Sequence, residues 1–270
     1  MRFALQDKLT GLKECKEIFE SAKHLGFDGV EITHFEGAIS KDTSLSILKA
    51  SQSTGIPVSA VCGGYKHWIG DFNESNRLKA IGDIKTSLRY LAEFGAEGLI
   101  APAAYGMFSK RLPPFNPARS EEEDRKALTD SLLRIAEDAE KYNVYLYLEP
   151  LNRYEDHMLN TVSDAASLIR ETGSNHIKVM ADFFHMSIEE ANIEKTIKDF
   201  RDVIGYFHLA DSNRLEPGKG HTDFVGPFSQ LEKLQYKGFL SLECDLSEKQ
   251  GSKALVETLG YLKGLHKVNI

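Results

Sequence analysis

The sequence predicts an α/β protein: an eight-stranded parallel (β/α)8 TIM barrel in a single domain spanning residues 1–270. Three observations predict it. Short apolar runs alternate strictly with longer amphipathic ones, eight of each, which is the pattern of parallel βα units. A length of 270 residues suits two small domains or one large barrel, and no linker, low-complexity stretch or charge block marks a boundary. Charged and imidazole side chains gather at the ends of the last four apolar runs. In a closed barrel such ends converge on one mouth, whereas an open doubly wound sheet spreads them out.

The units follow in order. Phe3–Gln6 and the helical stretch Leu12–Leu25 make the first, and the helix exits at Gly26 as helices commonly do. Gly29–Thr33 with Thr43–Ser53 makes the second. Val58–Cys62 is the third strand, followed by Gly63-Gly64-Tyr65, a plain turn or a place where a ligand approaches the backbone. Its helix, Glu74–Phe94, exits at Gly95. Between the fourth strand, Gly98–Pro102, and the fourth helix, Ser120–Tyr142, lies the Pro-rich run Leu112-Pro113-Pro114-Phe115-Asn116-Pro117. It reads as a loop on the active face, either a lid or a subunit contact. Ser120 followed by Glu123 has the form of a capping box. The remaining pairs are Val144–Glu149 with Ser163–Glu171, Lys178–Asp182 with Ile188–Phe200, Gly205–Ala210 with Phe228–Gln235 (exit at Gly238), and Phe239–Cys244 with Glu248–Leu265.

Composition excludes several classes. With 33 basic and 40 acidic residues the net charge is −7, and no Lys/Arg block offers a surface for nucleic acid. Three distant cysteines, Cys15, Cys62 and Cys244, have no zinc-finger spacing and fit a reducing compartment. Cys62 and Cys244 fall on strands and read as inert core thiols. The N-terminus lacks a signal-peptide apolar core and no stretch reaches membrane-spanning length. The expectation is a soluble cytoplasmic protein.

The chemistry starts from Glu149, a carboxylate at the end of the apolar run Val144-Tyr145-Leu146-Tyr147-Leu148. A charge there costs roughly several kcal/mol unless a cation or another partner compensates. Asp182, His208 and Glu243 end the next three runs in the same way, at spacings of 33, 26 and 35 residues, each one βα unit. Any one of them alone reads equally well as a salt-bridged or solvated strand end. Together, three carboxylates and one imidazole without thiolate predict a site for a divalent metal: Mn²⁺, Mg²⁺ or Co²⁺ rather than structural zinc. Glu149 and Glu243 come from opposite sides of the ring of strands. That placement suits two-base proton chemistry beside a carbonyl, the metal polarising the oxygen and stabilising the enediolate. Glu155, His185 and Arg214 lie close by in sequence and are candidates for substrate contact; Arg214 instead has Asp211 and Glu216 within reach for a loop salt bridge. The run Pro217-Gly218-Lys219-Gly220-His221-Thr222-Asp223-Phe224 reads as a tight loop rather than an anion nest, with His221 and Asp223 structural by default.

Four segments resemble the ketose 3-epimerases: Leu148-Glu149-Pro150-Leu151-Asn152-Arg153-Tyr154-Glu155, His157-Met158-Leu159-Asn160-Thr161, Asp182-Phe183-Phe184-His185-Met186-Ser187-Ile188-Glu189-Glu190 and Asp211-Ser212-Asn213-Arg214. These are the D-tagatose and D-psicose 3-epimerase group of the xylose isomerase-like sugar isomerase/epimerase superfamily. The motifs fall within residues 148–243, and the βα rhythm covers the whole chain. The resemblance implies a barrel with a divalent metal, commonly manganese, held by Glu149, Asp182, His208 and Glu243. It implies that Glu149 and Glu243 exchange the C3 proton on opposite faces, that Glu155, His185 and Arg214 hold the O1–O3 end of a sugar, and that the protein is a dimer or tetramer. The 217–224 run resembles wider relatives, some acting on keto-acids or inositol-derived intermediates. Trp68, the single tryptophan, is either an apolar wall for a sugar face or a packed residue. The rival reactions are aldose–ketose isomerisation at the same metal and, distantly, phosphodiester cleavage of the endonuclease IV type, which needs a His-rich cluster of several metals and a basic face.

Overall fold

The structure is a computed structural model that describes residues 1–248 and 251–265. Eight parallel strands close into a barrel in sequence order, with β1 hydrogen-bonded to β8. They are β1 (Arg2–Gln6), β2 (Gly29–His34), β3 (Val58–Gly63), β4 (Gly98–Pro102), β5 (Tyr145–Glu149), β6 (Ile177–Asp182), β7 (Ile204–Leu209) and β8 (Phe239–Leu242). Among the described residues nine helices surround them: α1 (Cys15–Leu25), α2 (Lys41–Thr54), α3 (Glu74–Phe94), α4 (Glu121–Tyr142), α5 (Val162–Thr172), α6 (Phe183–Glu189), α7 (Ile193–Asp199), α8 (Val225–Lys233) and α9 (Gly251–Leu265).

Strand alternation sorts the side chains into two cores. Phe3, Leu5, Val30, Ile32, Leu146, Leu148, Phe207 and Leu240 point outward into the main core, which also takes in the helix faces. The opposite positions fill the barrel interior with Ala4, Ala60, Cys62, Ile100, Tyr147, Met180, Tyr206 and Phe239. This plug closes the interior, so a ligand has access only from the rim.

Local chemistry sets the helix ends. Ser120 and Glu123 form the expected capping box, and Thr161 with Asp164 forms a second one that starts α5. Gly26 and Gly95 take left-handed C-cap conformations as predicted. Three expectations need correction. The helix expected over residues 188–200 is two helices. Asp182 caps Phe184 N immediately after β6 and Asn192 caps Lys195 N, so each short helix has its own start signal. Gly238 is not a helix exit: α8 ends at Lys233 and Gln235 adopts φ 54°. β8 ends at Leu242, one residue before Glu243. The start of the last predicted helix and the end of the predicted domain include residues 249–250 and 266–270, which lie outside the described residues.

Candidate active site and metal centre

Glu149 and Asp182 are the last residues of β5 and β6, His208 lies in β7, and Glu243 follows β8. Register brings them together: Asp182 pairs with His208 across β6 and β7, and Glu243 N donates to Leu209 O at 3.2 Å. One ligand atom from each of the four lies within 4.8 Å of all the others. Glu149, Asp182 and His208 are buried, and Glu243 is nearly so.

Three clustered carboxylates demand positive charge, and Arg214 supplies part of it. Its Nη1 donates to Asp182 Oδ2 at 2.5 Å and its Nη2 to Glu243 Oε2 at 2.6 Å. The loop reading of Arg214, paired with Asp211 or Glu216, is therefore incorrect. Asp211 instead accepts backbone hydrogen bonds from Ser212 N at 2.7 Å, Gly218 N at 2.9 Å and Thr222 N at 3.0 Å. That clamp gives the 217–224 run its shape and presents Arg214 at φ 63°, a conformation unusual for a non-glycine residue and common at functional sites. His221 and Asp223 sit apart, in a cleft with Glu190 and Glu194.

The two glutamates have opposite electrostatic settings. Burial and then the Glu243 charge push the Glu149 carboxyl well above the usual range. Burial would raise Glu243 too, but the charge of His208, with that of Arg214, holds it well below. Burial opposes charge on His208, yet Glu31 and Glu243 raise its pKa well above the ordinary value. His208 Nε2 lies 2.9 Å and 3.0 Å from the two Glu31 oxygens. Its Nδ1 is 3.0 Å from Glu243 Oε2 but buried without an aligned hydrogen-bond partner. An orphaned imidazole nitrogen facing three carboxylates is a donor set that fits a divalent cation, hard oxygens with one nitrogen. Among the described residues it is the one such cluster.

His185, on α6, lies beside this cluster, its Nε2 3.8 Å from Glu149 Oε1 and 3.6 Å from Asp182 Oδ2. Burial lowers its pKa, so it is neutral. Asn152 N donates to its Nδ1 at 3.1 Å, which puts the remaining proton on Nε2, facing the cavity. Asn152 Nδ2 also donates to Glu155 Oε1 at 3.0 Å. Asn152 thus orients both His185 and Glu155, a role its place in the sequence did not signal.

The site opens into a cavity of about 580 Å³. Glu149, Glu155, His185, Arg214 and Glu243 line one side, and Phe35, Tyr65, Trp68, Pro102 and Tyr105 the other. Trp68 packs edge-on against both Tyr65 and Tyr105, with ring centroids 5.8 Å and 6.0 Å apart. Cys62 also lines the cavity, so it is not purely a core thiol, although burial pushes its pKa well up. Gly63, at φ 107°, leaves no room for a side chain: a Cβ would lie 2.1 Å from His34 O. The base of the Pro-rich loop is tied to the loop after β5, through Gly106 N to Glu155 O and Ser109 Oγ to Arg153 O. Sequence reasoning also missed Glu31, fully buried inside the barrel, and Gln6, Tyr206, Asp156 and His157, all buried. Glu31 did leave a signal: it interrupts Val30 and Ile32, which face outward, so its carboxylate has to face inward.

Residues 19–265 match the xylose isomerase-like TIM barrel family. Over 263 residues the chain is 39% identical to a 3-dehydro-D-guloside 4-epimerase of Escherichia coli K12, an alignment covering 97% of this chain and 99% of that protein. It is 36% identical over 138 residues to a D-psicose 3-epimerase of Enterocloster bolteae, covering 51% and 46%. Among solved structures, that of a 3-keto-D-glucoside 4-epimerase from E. coli matches with a TM-score of 0.93 at 39% identity, covering 98% of this chain and 99% of that one.

Proposed function

This chain belongs to the xylose isomerase-like TIM barrel family, and we propose that it is a metal-dependent sugar epimerase that inverts the carbon next to a ketone in a keto-glycoside. The observation that carries this reading is the pair Glu149 and Glu243. They project into one cavity from β5 and from the end of β8, within a four-donor cluster. Glu149, Asp182, His208 and Glu243 would hold the cation, Mn²⁺ by preference with Co²⁺ or Mg²⁺ as alternatives. When bound there it supplies Lewis-acid polarisation of the ketone oxygen.

The chain's own groups supply the proton chemistry. In one direction Glu243, the more acidic carboxyl, removes the proton from the carbon beside the ketone. Glu149 returns a proton to the opposite face of the enediolate. The roles reverse for the other epimer. Arg214, neutral His185 and Glu155 bind the ketone and its neighbouring hydroxyls.

Two observations support a ring glycoside over an open-chain ketose. The likeness to the 3-dehydro-D-guloside 4-epimerase is 39% identity over 97% of the chain, against 28% over 87% of it for an L-ribulose 3-epimerase of Mesorhizobium japonicum. The aromatic side of the cavity offers flat surfaces that suit the face of a sugar ring. The test is incubation in D₂O with 3-keto-glycosides, free ketoses, ketose phosphates and keto-sugar acids, with deuterium located by NMR. Deuterium on the inverted carbon of a keto-glycoside is expected. An aldose product would establish the isomerase instead, and no exchange with any substrate would end the reading.

A further inference from the structure

Beneath the proposed metal centre, four side chains close a ring that crosses the barrel. Glu31 from β2 and Glu243 after β8 are its two carboxylates. His208 lies between them on one side, with Nε2 2.9 Å from Glu31 Oε2 and Nδ1 3.0 Å from Glu243 Oε2. Gln6 from β1 lies between them on the other. Its Nε2 donates to Glu31 Oε1 at 2.7 Å and to Glu243 Oε1 at 2.8 Å. The amide orientation is dictated by chemistry, because its oxygen in that place would face two carboxylates. Tyr206 OH adds a third donor to Glu31, at 2.8 Å to Oε2, and itself contacts Ser59 Oγ at 2.8 Å. Gln6, Glu31, Ser59 and His208 are all fully buried.

Resting on the metal reading above, we propose that Glu31 is a positioning residue that sets which nitrogen of His208 faces the cation. A carboxylate is an acceptor only, so the His208 nitrogen beside it has to carry the proton. Nε2–H therefore points at Glu31, and Nδ1, 3.0 Å from Glu243 Oε2, is the nitrogen left to give its lone pair to the cation when one is bound. Gln6 and Tyr206 hold the Glu31 carboxylate in place, and Gln6 ties the same unit to the Oε1 atom of Glu243. The buried acid thus acts on substrate only through the orientation of a ligand, the usual arrangement behind a metal-bound histidine.

Glu31→Gln keeps the shape of the site but offers His208 Nε2 a donor in place of a compulsory acceptor. Calorimetric titration of the metal-stripped protein with Mn²⁺ should show affinity lower than the parent by roughly 10–100-fold. Tyr206→Phe, which removes one of the three donors to Glu31 but leaves the Glu31–His208 contact, should lose less affinity than Glu31→Gln. Affinity retained by Glu31→Gln, or an equal loss in Tyr206→Phe, overturns the proposal. Should Glu31→Gln fail to fold, ¹⁵N spectra of the histidine rings in the Zn²⁺-loaded parent decide: a proton on His208 Nε2 supports the assignment and one on Nδ1 refutes it. A parent that binds no divalent cation would end the metal reading itself, an outcome distinct from a variant that binds as the parent does.

Discussion

The two arcs of the barrel mouth are built from opposite materials. Strands β5 to β8 bring Glu149, Asp182, His208 and Glu243 to the rim, with Arg214 and His185 around them. The rim of β1 to β4 presents Phe35, Cys62, Tyr65, Trp68, Pro102 and Tyr105, with Lys8 and Lys66 as its charged members. Buried charges need partners with defined geometry, so in the first arc both oxygens of Asp182 and of Glu243 accept hydrogen bonds. Among the described residues Glu149 has only His185 Nε2, at 3.8 Å, beside it. The aromatic arc has no such requirement: Phe35 and Tyr105 are each 53% exposed, and Tyr105 meets Trp68 edge-on. One arc is organised to move protons, and the other to receive an apolar surface.

The largest effect should come from the charged arc. Glu149→Gln and Glu243→Gln each remove one of the two proposed proton carriers, and kcat should fall by about a thousandfold or more, near the upper part of the general acid–base range. Each variant should still exchange a proton with D₂O from one epimer without inverting it, because one carboxylate remains. Inversion at near-parental rates by either variant would sink the two-base mechanism. Next, Arg214→Ala removes charge-assisted hydrogen bonds and should raise KM by roughly 10–100-fold. The same change leaves Asp182 and Glu243 without their cation, so the metal-free protein should lose thermal stability and Mn²⁺ should restore it. An unchanged KM would confine Arg214 to holding its loop.

The same division governs what the sequence made legible. The barrel was readable from alternation, because parallel strands and their helices differ in hydrophobic period. The four donors were readable because an ionisable residue closing an apolar run is costly, and the cost recurred once per unit. Glu31 escaped notice because its meaning depends on His208 and Tyr206, 177 and 175 residues away in sequence. Asn152 escaped because an amide in a loop is unremarkable until its partners are known. Of the aromatic arc the sequence marked Trp68 as a candidate wall for a sugar, whereas Phe35, Tyr65 and Tyr105 escaped because no pattern in the chain separates them from core aromatics such as Phe19. Asp211 shows the reverse error: proximity in sequence suggested a salt bridge to Arg214, whereas backbone amides claim its carboxylate.

Between the arcs, the loops after β4 and β5 meet over a buried pair, Asp156 and His157. His157 Nε2 lies 2.9 Å from Asp124 Oδ2 and its ring packs edge-on against Phe108. Burial pushes the Asp156 carboxyl from 3.8 up to about 6, despite hydrogen bonds from the backbone of His157 and Met158. Unfolded, this group ionises near 3.8; folded, it keeps its proton up to about 6. Its contribution to stability is therefore full below 3.8 and is lost as pH rises through 6. The whole difference is worth about 3 kcal/mol. Asp156→Asn cannot ionise. Relative to the parent, its unfolding free energy should shift in its favour by roughly 2.4 kcal/mol between pH 4 and pH 7. Denaturant titrations across that interval measure it, and a difference independent of pH would show that Asp156 does not carry the strain of this seam.

The smallest effect tests the aromatic arc directly. Trp68 is half-buried, stacked edge-on between Tyr65 and Tyr105, and its removal takes no hydrogen bond from the charged network. An aromatic face against a sugar ring contributes about 1 kcal/mol beyond area burial. Trp68→Ala should therefore raise KM for a keto-glycoside by about fivefold while kcat changes little, the pattern of lost binding felt equally in ground and transition states. A fall in kcat at constant KM would mean that Trp68 aligns the substrate against Glu149 and Glu243, so that the two arcs act together. If neither constant moves, the tryptophan serves only to pack Tyr65 against Tyr105, and substrate recognition has to reside wholly in the charged arc.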